Sequence, residues 1–197
     1  MTLDDQAMDL IFRDARTQNG WQDKPVSDAQ LKAIYELMKW GPTTANTQPA
    51  RLFFLRTQMA KERLKPHLTP GNQDKAMAAP VVAIIAYDLL FYEQLPRVFP
   101  HKPEMKNGFI GEDKKVYTET TALRNSSLQG AYLIIAARAL GLDCGPMSGF
   151  NNAAVDKEFF AGTPIKSNFV CGIGHGEPAK VMQRLPRLEF DEICKLL

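Results

Sequence analysis

Histidine and cysteine are scarce, with three of each in 197 residues. The cysteines, Cys144, Cys171 and Cys194, lie far apart and form no CxxC pair. A disulfide framework needs more cysteines, and a structural zinc site needs four closely grouped ligands. The sequence therefore argues against both, and we expect no metal centre.

Long hydrophobic runs and an excess of one charge are also missing. The longest apolar run, "AYLIIAARALGL", is too short to span a bilayer and contains Arg138. With 24 Lys and Arg against 22 Asp and Glu, the net charge of +2 gives no argument for nucleic acid or an anionic membrane. The start, "MTLDDQAMDL", lacks the apolar core of a signal peptide. We expect a cytoplasmic protein with neither kind of partner.

Familiar catalytic motifs are absent as well. The sequence contains no G-x-S-x-G elbow and no Walker motif, and "GIGHGEP" does not have the G-x-G-x-x-G spacing. Cys144 could be read as a nucleophile, but no partner histidine is marked, so a small buried cysteine is the favoured interpretation. For His175, at a strand end, a structural or rim role is favoured over a catalytic one. Classical dinucleotide-binding and P-loop chemistry are both disfavoured.

Hydrophobic periodicity predicts alternating helices and strands, and hence one layered α+β domain over residues 1–197. Ser27 and Gln30 form a capping box that begins one helix, and Gly141 ends the longest one. "DCGPMSGF" is predicted to be a tight connection. The predicted helices are 3–15, the segment after Ser27, 59–67, 117–140 and "NAAVDKEFF"; the predicted strands are "RLFFLRT", "PVVAIIAY" and "SNFVCGIGHG".

Residues 88–115 form an irregular excursion, rich in proline and glycine. Loops of this length are uncommon unless they are functional or mobile. We predict that the excursion contributes to a substrate pocket. Its aromatic residues need something to pack on: Phe91, Tyr92, Phe99 and Phe109.

Small polar and basic groups recur at several separate places. The stretch "GPTTANTQPA" at 41–50 has more hydroxyl and amide side chains than a surface turn requires. Arginine can bind phosphate through two hydrogen bonds, and Thr and Asn add further donors. Taken singly, each basic set reads as a solvated patch. The sets are Arg16 with Thr17 and Asn19, Asn72 with Lys75, and Arg184 with Arg187.

In this order, four stretches resemble the FMN-dependent nitroreductase family along almost the whole chain. They are "ARTQNGWQDKPVS", "PTTANTQPARLFFL", "ARALGLDCGPMSGF" and "GIGHGEPAKVMQRLPR". The resemblance implies a nitroreductase-like fold, in which helices flank a mostly antiparallel central sheet. It also implies a homodimer with FMN at the subunit interface and NADH or NADPH as reductant.

The resemblance assigns roles to the polar and basic groups. The FMN phosphate would be bound by Arg16, Lys75, Arg184 and Arg187, and which of the last two contacts it stays open. The backbone of Ser148 and Gly149 would approach flavin N5. No side chain is assigned as catalytic, because the flavin carries the hydride. The remaining cofactor contacts would be Thr17, Asn19 and Asn72, with Pro42, Thr43, Thr44 and Asn46 from the second subunit.

Within the family, "DARTQNGW", "LMKWGPTTAN", "RNSSLQGAYLI" and "GLDCGPMSGF" resemble the malonic semialdehyde reductase branch. Ser148 stands where the family usually has Glu, which argues against a nitro substrate. Arg124 is the candidate that binds the substrate carboxylate, with an ordinary interface or salt-bridged arginine as the alternative. Three other functions stay open: a broad nitro and quinone reductase, a non-catalytic flavin-binding module, and a flavin-fragmenting or dehalogenating relative.

Overall fold

A four-stranded antiparallel sheet lies at the centre of the computed structural model, which describes residues 2–197. The strands are β1 (Ala50–Leu55), β2 (Val81–Asp88), β3 (Asp143–Met147) and β4 (Ile165–Gly174). Their order in the sheet is β1-β2-β4-β3, and every neighbouring pair is antiparallel. This arrangement confirms the expected sheet of an α+β fold.

Helices cover both faces of the sheet and give three layers. The helices are α1 (Asp5–Met8), α2 (Asp28–Met38), α3 (Gln58–Leu64), α4 (Pro70–Ala78), α5 (Leu95–Val98), α6 (Lys115–Ala139), α7 (Asn152–Phe160) and α8 (Phe190–Ile193). Side chains alternate along β2. Val81 and Ile85 therefore pack in one core with residues of α2 and α6, while Val82 and Ile84 pack in another with residues of α3, α4 and α7.

The strongest local patterns are confirmed. Residues 81–87 are buried, as a continuous apolar run in a central strand requires. Ser27 and Gln30 exchange the two hydrogen bonds of a capping box at the start of α2. Gly141, with φ +73°, follows the end of α6 in the left-handed conformation that glycine adopts easily.

One local prediction was wrong, one helix was missed, and one predicted helix is confirmed over most of its length. Residues 143–147 form strand β3 rather than a tight connection, because pairing with β4 outweighs the turn signal of Gly145-Pro146; β3 is an edge strand, where proline is tolerated. Residues 70–78, read only as a basic patch, form α4. The helix predicted over 3–15 is α1 followed by a π-helical turn at Asp9–Arg13.

The excursion at 88–115 contains α5 and three short 3₁₀ segments, Phe91–Gln94, Pro103–Phe109 and Glu112–Lys114. Its aromatic residues do find a packing partner, as predicted. Phe91 and Phe109 are buried with their ring centroids 5.0 Å apart, in a small core that also contains Tyr87 and Ala122. The excursion is therefore anchored on the end of β2 and on α6.

Candidate functional site

Strand β3 separates two groups of the predicted site residues. Thr17 forms a parallel bridge with Cys144 near the start of β3, and the Gln18 amide donates to the Cys144 carbonyl at 3.0 Å. Ser148 directly follows the last residue of β3. Four residues of strand at ~3.3 Å each place these groups about 13 Å apart. The site is therefore elongated, with a basic end at Thr17 and a turn at Ser148.

The basic end is formed by segments from the two ends of the chain. Arg16 donates a hydrogen bond to the carbonyl of Met182, and Arg184 donates to the carbonyl of Arg13. Within residues 2–197, neither arginine forms an ion pair with a carboxylate, whereas Arg13 pairs with both Asp5 and Asp9. Two uncompensated guanidinium groups suit an anionic ligand, because each keeps further N–H donors free.

Arg187 and Lys75 differ in their surroundings. The Arg187 side chain is exposed and donates only to the carbonyls of its neighbours Leu185 and Pro186. Lys75 lies on α4, and its main-chain carbonyl accepts a 2.9 Å hydrogen bond from the Trp21 indole. Its ammonium group forms no ion pair with any residue in the described range. Asn19 is half-buried near the basic end.

The turn after β3 is fixed to the start of α4. The Gly149 carbonyl accepts from the Thr69 amide at 2.9 Å, the Thr69 hydroxyl at 3.0 Å and the Asn72 amide group at 2.9 Å. A Cβ atom at Gly149 would lie 2.6 Å from Asn72 Nδ2. A side chain at 149 would therefore displace the Asn72 and Thr69 groups that hold the turn. The close approach of the flavin to this backbone stays a prediction.

A cleft of about 280 Å³ lies between β3, β4 and α6. Arg124 is exposed on α6, three residues before the cleft residue Ser127, so it continues the same helix face. It forms no ion pair or hydrogen bond within the part of the chain described. The cleft is lined by Ser127, Ala131, Ile134, Pro146, Met147, Ser148 and Phe169.

The loop that contains Pro42, Thr43, Thr44 and Asn46 packs against α6 from another side. The Thr44 amide donates to Asn125 Oδ1 at 2.7 Å, and the Asn46 amide group donates to the Val98 carbonyl at 2.8 Å. Asn125 and Ser127 are two residues apart on a helix, so their side chains point about 200° apart. Within one chain, the loop and the cleft therefore lie on opposite faces of α6.

Cys144 and His175 belong to the structural surroundings of the site. Cys144 is completely buried in a hydrophobic core, which confirms the favoured interpretation. His175 Nε2 is buried without a hydrogen-bond partner within residues 2–197. Burial lowers the pKa of His175 from its ordinary value, and the nearby Lys24 acts in the same direction, while Asp143 opposes them.

Two buried residues of the site region were missed by the sequence analysis. Asn125 and Gln129 lie on α6, and their side chains bind the main chain of Thr44 and Ala50. Both interrupt the apolar pattern of a long helix at a spacing of four residues. That pattern is the signal that could have identified them.

Within residues 2–197, no helix has the length and apolar character needed to cross a bilayer. No group of three or more His, Cys, Asp or Glu side chains is placed to hold a metal ion there.

Comparison with known proteins defines the class. Residues 13–176 match the nitroreductase family, and the chain belongs to this family. A relative from Cupriavidus pinatubonensis, named a "Putative NADH dehydrogenase/NAD(P)H nitroreductase", is 60% identical over 191 residues, 97% of each chain. The "Putative NADH dehydrogenase/NAD(P)H nitroreductase HadB" of Ralstonia pickettii is 59% identical over 186 residues, 94% of this chain and 95% of that protein. The expected family and fold are thus confirmed.

A solved structure with lower identity has the same fold. It is a "putative nitroreductase in complex with FMN" from Exiguobacterium sibiricum, with a TM-score of 0.83 and 18% identity. The match covers 100% of this chain and 99% of that one.

Proposed function

We propose that the chain is an FMN-dependent NAD(P)H oxidoreductase whose cofactor lies along β3. The single observation that carries the proposal is the joining of the Arg16 and Arg184 segments at one end of an elongated site, where each arginine donates to a main-chain carbonyl of the other segment and neither has a carboxylate partner within residues 2–197. The names of the relatives support a nicotinamide reductant, and FMN is bound in the structural neighbour.

The described residues fit FMN. Arg16 and Arg184, with the Thr17 hydroxyl, would hold the doubly charged phosphate, because guanidinium groups bind phosphate through several charge-assisted hydrogen bonds. Ser148 and Gly149 lie about 13 Å from the basic end, because four strand residues separate them and each advances the chain by ~3.3 Å. A ribityl phosphate chain and the near edge of a flavin ring span a comparable length. Asn72 and Thr69 would hold this turn in place rather than carry the cofactor themselves.

Bound FMN would supply the redox chemistry, accepting a hydride from NADH or NADPH and passing it on after the nicotinamide has left. Over the whole cycle the nicotinamide is oxidised by two electrons, and an aldehyde carbon gains the hydride while its oxygen gains a proton. The protein residues bind and orient the reactants. This division of labour explains why the sequence contains no acid–base triad.

For the acceptor we propose malonic semialdehyde, which would be reduced to 3-hydroxypropanoate. Arg124 supports this choice, since it is an unpaired cation on the same helix face as the cleft residue Ser127. A planar guanidinium can bind the carboxylate of a small substrate through two hydrogen bonds. The second candidate is a broad nitro and quinone reductase, which the names of the relatives favour.

We propose a homodimer, because the loop at 42–46 and the cleft lie on opposite faces of α6 in one chain. A second copy could bring its loop to the cleft of the first. The outer surfaces support an interface, since Trp40 is 78% exposed and Leu128 on α6 is 46% exposed. Gly41, which follows Trp40, lies against the Tyr132 ring, one turn after Leu128 on α6. A contiguous apolar patch of this kind is typical of surfaces that bind another protein.

The C-terminal tail, residues 181–197, gives a second argument for the dimer. Leu185, Leu188 and Ile193 are 73%, 65% and 67% exposed. Strand β1 has a free edge, and a cavity of about 850 Å³ lies between it and α2. An apolar tail from a second copy could add to this edge as a further strand.

The proposed function is tested by anaerobic flavin absorbance. Addition of NADH or NADPH should bleach the yellow protein, and addition of malonic semialdehyde should restore the colour. Bleaching without recovery by any aldehyde, nitroarene or quinone would indicate a flavin-binding module instead. Recovery by nitroarenes and quinones alone would remove the semialdehyde assignment and retain the oxidoreductase.

A further inference from the structure

The loop before β1 has an unusual backbone. Ala45, Asn46 and Gln48 have φ angles of +46°, +53° and +44°. Asparagine tolerates this left-handed region, but alanine has no side chain that could compensate for the steric cost. Three such residues within four positions do not persist unless their surroundings hold them.

Two carboxamides on α6 bind the loop at both ends. Asn125 and Gln129 are four residues apart, so they share one face of the helix, and they are only 1% and 6% exposed. The Thr44 amide donates to Asn125 Oδ1 at 2.7 Å, and the Ala50 amide donates to Gln129 Oε1 at 2.9 Å. The strained residues lie between these two contacts.

Both polar atoms of the Asn125 side chain are engaged in this arrangement. Its Nδ2 donates to the Thr121 carbonyl at 2.9 Å and to the Thr44 hydroxyl at 3.3 Å. The amide therefore cannot turn away without losing several hydrogen bonds at once. Burial of a polar side chain costs free energy unless hydrogen bonds to its partners compensate for the lost contact with water. Here the partner outside the helix is Thr44.

We propose that Asn125 is a positioning residue for cofactor binding. Its carboxamide holds the loop at residues 43–48, in which Ala45, Asn46 and Gln48 are left-handed, in this conformation before the cofactor arrives. The inference rests on the proposed function, in which this loop contacts FMN. By fixing the loop in the free protein, Asn125 reduces the ordering that binding would otherwise require.

The main test measures FMN affinity and loop protection together. In Asn125→Ala, we expect FMN to bind at least about tenfold more weakly, and the amides of residues 43–48 to exchange hydrogen faster in the FMN-free protein. Turnover at saturating FMN should stay within about twofold of wild type. The control is Ser126→Ala, a buried polar residue of the same helix that bonds to Leu123 and Asn168 instead of the loop. Equal effects in both variants would overturn the proposal.

A second pair of variants leaves α6 intact. Thr44→Pro removes the N–H that Asn125 accepts, and Thr43, with φ −135° and ψ 154°, already has the extended conformation favoured before proline. Thr44→Ala removes only the hydroxyl. We expect the loss of FMN affinity to be severalfold larger for Thr44→Pro. Equal losses would mean that the hydrogen bond to Asn125 does not position the loop.

A rescue experiment separates strain from general destabilisation. Glycine adopts positive φ freely, so adding Ala45→Gly to Asn125→Ala should restore FMN affinity at least about threefold. No recovery would contradict the role assigned to the left-handed loop. If the wild-type protein binds no FMN, the proposed function fails, and hydrogen exchange at residues 43–48 alone decides whether Asn125 holds the loop.

Discussion

Arg16 donates a hydrogen bond to the carbonyl of Met182, which lies 166 residues further along the chain. Two residues later, Arg184 reaches back to the carbonyl of Arg13. These contacts hold both arginines at the basic end of the site, beside β3. Within residues 2–197, neither arginine has a carboxylate partner. The first predictions concern this pair.

Replacing Arg16 by alanine should weaken FMN binding roughly ten- to a hundredfold, about 1.5–3 kcal/mol, because a charge-assisted contact to the phosphate is lost. Titration of the FMN-free protein by flavin fluorescence measures the change. The control is Arg63→Ala, which removes an arginine that already pairs with Glu158. Unchanged FMN affinity in Arg16→Ala would mean that Arg16 does not contact the phosphate and is an ordinary surface residue.

Arg184 and Arg187 should differ in the same assay. Arg184 contacts the Arg13 and Ala15 carbonyls beside the basic end, whereas Arg187 contacts only its own segment. We therefore expect Arg184→Ala to weaken FMN binding by roughly tenfold or more, and Arg187→Ala by less than about twofold. A larger loss of FMN affinity in Arg187→Ala than in Arg184→Ala would mean that the phosphate binds nearer to Arg187.

Changing Arg124 to leucine should raise KM for malonic semialdehyde at least about tenfold, with a neutral quinone reduced almost as before. The reason is the loss of a cation that would bind the substrate carboxylate. Steady-state kinetics on both acceptors measure the difference, and Arg124→Lys, which keeps the charge, should lose less. Equal losses on both acceptors would indicate a structural role for Arg124.

His175 should make stability depend on pH, without taking part in turnover. Its pKa is lowered in the folded state, so below pH 6.5 the unfolded chain binds more protons. The free energy of unfolding should therefore fall as the pH drops from 6.5 through the folded-state pKa. Urea titrations of His175→Gln should show a smaller fall, with turnover retained. A variant with the same pH profile as wild type would contradict this account.

Elements with strong local patterns could be predicted from the sequence, and elements made by distant pairing could not. The capping box at Ser27 and the apolar run of β2 are local, and both are confirmed. Strand β3 depends on its pairing with β4, about 25 residues further along, and its own Gly145-Pro146 indicates a turn. Local composition therefore gave the wrong prediction for residues 143–147.

The candidate site, too, could be predicted only where its pattern is local in the sequence. The basic and polar sets were visible in the sequence, but the contact between Arg16 and the tail depends on the tertiary fold. The contact between Gly149 and Asn72 was also hidden, because Asn72 comes from a helix that was not predicted from the sequence. Asn125 and Gln129 looked like polar interruptions of an apolar helix until the loop beside them was in place.

The most direct measurement is mass spectrometry of the ligand released from purified protein, together with the flavin absorbance before release. The account predicts a yellow protein that releases about one FMN per chain, which rests on the basic end at Arg16 and Arg184 and on the cleft beside Ser148. A colourless protein that also fails to bind added FMN would contradict the central claim.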